Sequence, residues 1–459
     1  LFEKRIIESE KQKRGATNQL KMNSNEFRIA AKQLVDYICD YIDNIRDRPV
    51  LPSVQPFYIR DLVPDTAPED GESWEQVFAD IERVIMPGMT HWHSPRFHAY
   101  FPTANSYPAI LADMLSGALA CIGFTWIASP ACTELEMQMM DWFAKMLELP
   151  SFYLFSTGGN GGGVIQGTAS EATLVALLGA RNKIMGKYKD DKTILSKLVA
   201  YASEQSHSSV ERAALLGAVK IRLLPPDETL SLRGDTLANQ IEKDKSSGLI
   251  PFFVVATLGT TNSFNKLNKL LSCIGEKYDI WLHIDAAYAG SSFICPEFRH
   301  YLNGVEYSDS FNLNPHKWLL VNFDCSPMWV KNHHYIVDAF NVNPVYLRHN
   351  KQGMIPDYRQ VWLAHQFKYM VSQDSRFEIT HPVILGLICF RIKGTNELNE
   401  AFVNLVNERK KIHLTPAKIG DLFVIRFAVC ARTTELADIE YSWREISQVA
   451  SMVLKSEKI

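Results

Sequence analysis

The chain predicts an α/β fold: a mainly parallel sheet with helices on both faces, an N-terminal helical segment and a small C-terminal α+β domain. Three observations carry this. Between roughly residues 131 and 344, stretches of helical period alternate with short strands, the pattern of βαβ units. The strands are near-continuous apolar runs, as expected where both sheet faces are covered. With 459 residues, 46% of them hydrophobic and 22% charged, the chain can bury a large core and forms more than one structural unit.

Taken in order, residues 1–21 are rich in Lys, Arg, Glu and Gln and lack the apolar segment of a secretory signal. They read as a disordered extension or an artefact ahead of a natural start at Met22. Across 26–47, Phe27, Ala30, Leu34, Ile38, Tyr41 and Ile45 recur at intervals of three and four, which predicts an amphipathic helix. Its stripe packs against a partner or against its own domain; both readings stay open. Helices follow at 134–147 and 171–187, and buried strands at 198–202, 252–258, 280–284 and 328–330. In such a sheet, ligands collect at the carboxyl ends of the strands. Apolar strands near 384–390 and 423–428 and a closing helix from about 437 make the smaller domain. The expected division is therefore 1–21, 22–105, 106–359 and 360–459.

The net charge of −3 gives no electrostatic argument for binding nucleic acid or an anionic membrane, and no apolar run is long enough to span a bilayer. The eight cysteines are scattered singly, without C-x-x-C spacing or a zinc pattern, so no metal is expected. Free thiols point to a reducing, cytoplasmic location.

The most informative stretch is Asn314-Pro315-His316-Lys317-Trp318, downstream of a strand ending His283-Ile284-Asp285-Ala286-Ala287. A pyridoxal phosphate enzyme needs such a pair: a lysine amine for the Schiff base and a carboxylate for the pyridinium nitrogen. Alone, each half is weak, since a lysine after a turn is usually solvated and an Asp at a strand end is usually a cap. Gly161-Gly162-Gly163 and Gly167-Thr168-Ala169-Ser170-Glu171-Ala172 place glycines and hydroxyls before a helix. That is a phosphate cradle, or merely a helix capped by Ser170. It is no P-loop, because no G-K-[ST] follows. His207 is a surface or core histidine, or a ring that stacks on a flat ligand. Tyr346 packs, or delivers a proton. Trp92, Tyr100 and Phe101 form a structural cluster or an aromatic pocket wall.

These segments resemble the group II pyridoxal phosphate decarboxylases, and within them the aromatic L-amino acid decarboxylases. The resemblance runs from about Met22 to the C-terminus. It is carried also by His91-Trp92-His93-Ser94-Pro95, Gly123-Phe124-Thr125-Trp126, Ser129-Pro130-Ala131-Cys132-Thr133-Glu134-Leu135-Glu136 and His207-Ser208-Ser209-Val210. It implies the type I pyridoxal phosphate-dependent transferase-like fold, with 22–105 holding a substrate loop and 106–359 binding the cofactor, pyridoxal 5'-phosphate. Lys317 would carry the Schiff base and Asp285 the pyridine nitrogen. His207 would stack on one ring face and Ala287 on the other. Thr168, Ala169 and Ser170 would hold the phosphate, aided by Asn314 and His316. Tyr346, on a closing loop, would protonate Cα, and Trp92, Tyr100, Phe101 and Thr103 would line the substrate pocket.

Phe101-Pro102-Thr103 is similar to the enzymes acting on aromatic substrates; histidine decarboxylases usually carry Tyr-Pro-Ala there. Related insect aldehyde synthases have Asn in place of His207. The implied reactions are L-DOPA to dopamine and 5-hydroxytryptophan to serotonin, in a homodimer that engages neither nucleic acid nor membrane. The alternatives are a histidine decarboxylase, an aromatic aldehyde synthase, or a catalytically impaired truncated isoform.

Two departures from the family qualify this. After Pro356-Asp357-Tyr358-Arg359 the chain jumps through Gln360-Val361-Trp362-Leu363-Ala364, as if roughly thirty residues, a helix of about 40 Å, were absent between the domains. Losing several hundred Å² of covered apolar surface costs on the order of 10 kcal/mol at about 25 cal/mol per Å², so poor expression or weak cofactor binding is expected. In Gly259-Thr260-Thr261-Asn262-Ser263-Phe264-Asn265, a slightly short loop, Asn265 stands where the family usually has Asp.

Overall fold

The computed structural model describes residues 22–101, 103, 105–121, 123, 126, 129–189, 191, 193–259, 277–340, 367, 370–381, 387–429 and 434–456. The chain forms two compact units, Leu1–Ala109 with Pro315–Phe323, and Ile110–Asn314 with Asp324–Ile459. The junction at 359–361, the loop 260–265 and residues 1–21 lie outside the described residues.

In the first unit, helix α1 (Ser24–Asp43) starts where Asn23 Oδ1 accepts from the backbone of Asn25 and Glu26, while Glu26 returns a carboxylate to the Asn23 N–H. It stops short of the predicted 47 because the Asn44 amide and side chain both turn back onto the Asp40 carbonyl. A 3-10 turn, Ile45–Asp47, follows. Of the α1 stripe only Ala30 is buried, and Phe27 and Ile29 are 54% and 69% exposed. Helix α2 (Trp74–Asp80) leads into the residues that tie α1 down. Glu82 takes hydrogen bonds from Tyr37 and Arg48, and Tyr41 bonds His91 Nδ1 at 2.9 Å. Burial and the neighbouring Glu82 carboxylate push the Tyr37 phenol up to about 12.

Helix α3 (Tyr107–Leu119) is apolar along its length yet buries no residue. Helix α4 (Pro130–Met146), capped by Ser129, leads to β1 (Gly162–Gln166) and α5 (Ala169–Lys187). Then come β2 (Leu198–Ser203), α6 (Ser209–Leu216), β3 (Lys220–Leu224), α7 (Gly234–Ser246), β4 (Ile250–Thr257), β5 (Trp281–Asp285) and β6 (Ser310–Asn312). The short α8 (Pro315–Trp318) belongs to the first unit, and β7 (Ser326–Val330) and α9 (His334–Phe340) return to the second. The seven strands lie in the order β1-β7-β6-β5-β4-β2-β3. Only β7 runs against the rest, pairing antiparallel with both β1 and β6.

Alternate residues of each strand feed the cores on opposite faces. Val199, Tyr201, Val254, Ala256, Leu282 and Ile284 join one cluster, whereas Ala200, Ala202, Phe253, Val255 and Trp281 join the other with Ala172, Ala176 and Ala180 of α5. The same period of two puts Asp285 and His283 on the Trp281 side, the side covered by α5.

A four-stranded antiparallel sheet, β10-β11-β9-β8, is made by β8 (Phe377–Ile379), β9 (Leu387–Ile392), β10 (Thr415–Ile419) and β11 (Leu422–Ala428). With α10 (Asn396–Glu408) and α11 (Leu436–Ser456) it encloses its own core around Phe390, Phe402, Ile425 and Val449. Asn399 closes it locally, accepting from the Ile392 N–H at 2.8 Å and donating to its carbonyl at 2.9 Å.

His283 is fully buried, stacked on Phe253, with Nδ1 2.8 Å from Ser310 Oγ. Burial holds its pKa down at about 3, so the folded ring stays neutral where an unfolded histidine would take a proton below about 6.5. The unfolded state then binds more protons, and stability falls as pH drops from about 6.5 toward 3, by about 1.4 kcal/mol per unit. His91 and His93 are also held down by burial and act in the same direction, so the comparison must be with a variant. His283→Gln is expected to flatten the pH dependence of the urea midpoint between pH 6.5 and 5 relative to the parent chain. An identical slope in the two proteins would show that His283 protonates freely in the fold.

Candidate active site

The carboxyl ends of β4, β5 and β6 are level: Thr257 pairs with Asp285, and Asp285 with Asn312. Asp285 is only 3% exposed, and its Oδ1 accepts from the Ala287 N–H at 3.0 Å. The turn beyond it is pinned by backbone bonds from Leu258 N to the Asp285 carbonyl, from Ala286 N to that of Asn312, and from Asn314 N to that of Ala287. Ser326 Oγ donates to Asn314 Oδ1 at 2.7 Å, fixing a buried amide. A side chain at Gly290 would come within 2.4 Å of Leu313 Cβ, so that segment must lack one. The carboxylate therefore sits on a rigid strand end rather than on a loop, which is what a group aimed at one ligand atom needs.

The loop after β2 is joined to this edge where Ser206 Oγ and Thr257 Oγ1 lie 3.3 Å apart. His207 follows. The Ser209 N–H donates to its Nδ1 at 3.2 Å, and Ser209 Oγ lies 2.8 Å from the same nitrogen. Because a backbone N–H can only donate, Nδ1 is the acceptor, and a neutral ring carries its proton on Nε2. The exposed imidazole is thus fixed in tautomer by its own loop.

At the start of α5, Thr168 rather than Ser170 is the cap: its Oγ1 accepts from the Glu171 N–H at 3.1 Å, and Glu171 reaches back to the Gly167 N–H at 3.0 Å. Among the described residues the Ala169 and Ser170 N–H groups have no acceptor, which leaves two donors and the positive end of a 19-residue helix for an anion. The Gly161-Gly162-Gly163 run does different work. A Cβ at Gly161 would lie 1.7 Å from the Phe152 carbonyl oxygen, one at Gly162 2.3 Å from the Phe155 ring, and one at Gly163 2.3 Å from Met140. These glycines let β1 pack against its neighbours; the phosphate-binding reading applies only to 167–170.

In the first unit, Lys317 lies in α8, half-buried, with its ammonium 5.5 Å from the Phe101 ring centroid. His316 is buried and packs on Phe323, with centroids 4.6 Å apart. Ser106 Oγ donates to the Leu320 carbonyl at 2.9 Å, and Leu320 is held in the left-handed region at φ 58°. Trp92 stacks on Phe97 and on Tyr100, at 5.3 and 5.6 Å, in an aromatic ladder whose Tyr100 is 78% exposed. Thr103 is half-buried. Lys317 and Phe101 thus come together in one unit; Asp285, Ala287, Asn314 and the His207 loop come together in the other. Tyr346 lies outside the described residues.

Thr257, Ser206, Ser209 and Ser326 support these groups and were not legible beforehand. Only Ser209 carried a signal, as the residue two beyond a candidate histidine.

Residues 56–363 match the model of the pyridoxal-dependent decarboxylase conserved domain. The chain belongs to the pyridoxal-dependent decarboxylase family. It is 55% identical over 480 residues to the aromatic-L-amino-acid decarboxylase of Mus musculus, across 95% of this chain and all of that one. To the enzyme of the same name from Manduca sexta it is 54% identical, over 95% and 94% of the two chains. Among solved structures it is similar to Catharanthus roseus tryptophan decarboxylase in complex with L-tryptophan, at 38% identity and TM-score 0.67, over 94% of this chain and 99% of that one. The structure of Oryza sativa TDC with PLP and tryptamine matches over the same shares at 33% identity and TM-score 0.69.

A 95% share of 459 residues is about 436, so at least about 44 of the 480 aligned positions of the mouse protein have no counterpart here. The cofactor of this pyridoxal-dependent decarboxylase is pyridoxal phosphate. Within the second unit the groups present fit it, a buried carboxylate for a ring N–H and a helix start with two open N–H donors for a phosphate; the first unit carries the Lys317 amine.

Proposed function

We propose that this chain removes the carboxyl group of aromatic L-amino acids, with L-DOPA and 5-hydroxytryptophan as substrates and dopamine and serotonin as products. The observation that carries the chemistry is the buried Asp285 carboxylate, held on a strand end whose sheet face is covered by α5, the helix with the open N-terminus. The aromatic choice is supported by the names of the relatives and by the Trp92, Phe97 and Tyr100 ladder.

Bound pyridoxal phosphate supplies an electron sink for the pair left on Cα when the carboxylate departs. The protein's residues set up that event. Asp285 holds a proton on the ring nitrogen. Thr168, Ala169 and Ser170, with Asn314 and His316, bind the phosphate and fix the ring's position. His207 and Ala287 would flank the ring, and the Nε2 side of His207 faces away from its Ser209 anchor. Lys317 would supply the amine that holds the cofactor. Trp92, Tyr100, Phe101 and Thr103 form the aromatic pocket, and Tyr346 returns a proton to Cα, which commits the reaction to an amine. We take 22–105 as the helical segment with the substrate loop, 106–359 as the cofactor-binding domain and 360–459 as the small domain; the separate core around Phe390 supports the last.

The working form is a homodimer in the cytoplasm. Helix α3, with Leu111, Leu115 and Leu119 each about 60% exposed, and the open stripe of α1 are apolar faces that a second copy would cover. Among the described residues no helix is long and apolar enough to cross a membrane.

Incubated with L-DOPA, 5-hydroxytryptophan and L-histidine, the holoenzyme is expected to release amine and carbon dioxide in equal amounts from the first two, without oxygen uptake. Tyr346→Phe should lower the amine yield and raise aldehyde and hydrogen peroxide. Turnover of L-histidine alone, or aldehyde from the parent chain, would overturn the substrate and product assignments. Light scattering on the holoenzyme should return twice the 52.1 kDa chain mass, and a single-chain mass would refute the dimer.

A further inference from the structure

We propose that Cys121 and Cys132 are a modification site, a thiol pair that a hydroperoxide or a small disulfide oxidises to an intrachain disulfide. The sequence separates them by eleven positions, yet their Sγ atoms lie 3.5 Å apart. In the single chain Cys121 is exposed and Cys132 is half-buried beside it. Two observations hold the pair together. Ser129, the cap of α4, bonds both: its Oγ accepts from the Cys132 N–H at 3.3 Å and lies 3.7 Å from Cys121 Sγ. The backbone at Gly123 passes so close that a Cβ there would be 2.7 Å from Cys132 Cβ, an approach that only glycine permits.

The surroundings favour reaction here over the other described thiols. Cys132 lies in the first turn of α4, held there by its N–H bond to Ser129. Hydrogen bonding from Ser129, and then from Cys132, draws the Cys121 thiol below its ordinary range. By contrast burial pushes Cys325 up to about 11 and raises Cys389.

With a hydroperoxide, the Cys121 thiolate attacks an oxygen, the O–O bond breaks, and a sulfenic acid forms while the other oxygen leaves as water or alcohol. The Cys132 thiolate then attacks that sulfur, the S–O bond breaks, and hydroxide leaves as water with the proton lost from Cys132. Two sulfurs give up two electrons and the peroxide takes them. With a small disulfide, two exchange steps release two small thiols. The product ties the chain just beyond α3 to the first turn of α4.

The test uses the holoenzyme, treated with a small excess of hydrogen peroxide at neutral pH, alkylated with N-ethylmaleimide and digested without reduction. The expected product is a peptide pair joined through Cys121 and Cys132, two hydrogens lighter than its parts and separated by dithiothreitol. It should form about tenfold faster than the exposed Cys295 thiol is lost. Cys132→Ser should let a dimedone-trapped sulfenic acid build up on Cys121, and Cys121→Ser should abolish the joined pair. Recovery of both cysteines as separate maleimide adducts while Cys295 is oxidised would overturn the proposal. So would a cross-link between two chains on a non-reducing gel.

Discussion

A carboxylate removed from water costs several kcal/mol unless something replaces its hydration, and Asp285 is almost wholly removed. Much of the second unit can be read as the means of placing that charge. β5 carries it, β4 and β6 fix the strand end from both sides in register, and the Ala287 N–H supplies one hydrogen bond. A cationic ring N–H is the partner that such a carboxylate suits, because opposite charge at close range in a poorly solvated place favours ionisation of both groups. The strand end is rigid because its neighbours are paired on both sides.

The period of two along the strands decides the rest of the geometry. Residues 281, 283 and 285 face the helix layer that contains α5, so the charge and the start of α5 share one face of the sheet. Asp285 and the open N–H groups of Ala169 and Ser170 thus belong to elements packed on a common core, which is why we propose them as the groups for the ring nitrogen and the phosphate. His283, one step back on the same face, stays neutral, so the charge placed at that strand end is that of Asp285.

What the sequence disclosed follows from which signals are local. The helices at 134–147 and 171–187 and the strands at 252–258 and 280–284 were legible because apolar period and run length are properties of contiguous residues. β1 escaped notice because Gly-Gly-Val-Ile-Gln is poor in apolar residues; its glycines let Phe155 and Met140 approach. β6 has only three residues, and the reversed direction of β7 has no sequence signature. Lys317 and Asp285 were singled out by motif, and Asn314 by its place in the same turn as Lys317. The alternative reading of that stretch, a cap by Ser170, falls to Thr168, because two hydroxyls flank the helix start and only backbone geometry separates them. The pairing of Cys121 with Cys132, like that of Ser206 with Thr257, depends on tertiary contact and could not be read along the chain.

In the proposed reaction Asp285 keeps a proton on the cofactor's ring nitrogen. Nitrogen NMR of the enzyme reconstituted with pyridine-15N-labelled pyridoxal phosphate measures this directly. The expected result is a protonated-nitrogen shift in the parent chain and a neutral-pyridine shift in Asp285→Asn, with the cofactor bound in both. A protonated shift that survives the substitution, or a neutral ring in the parent, would contradict it.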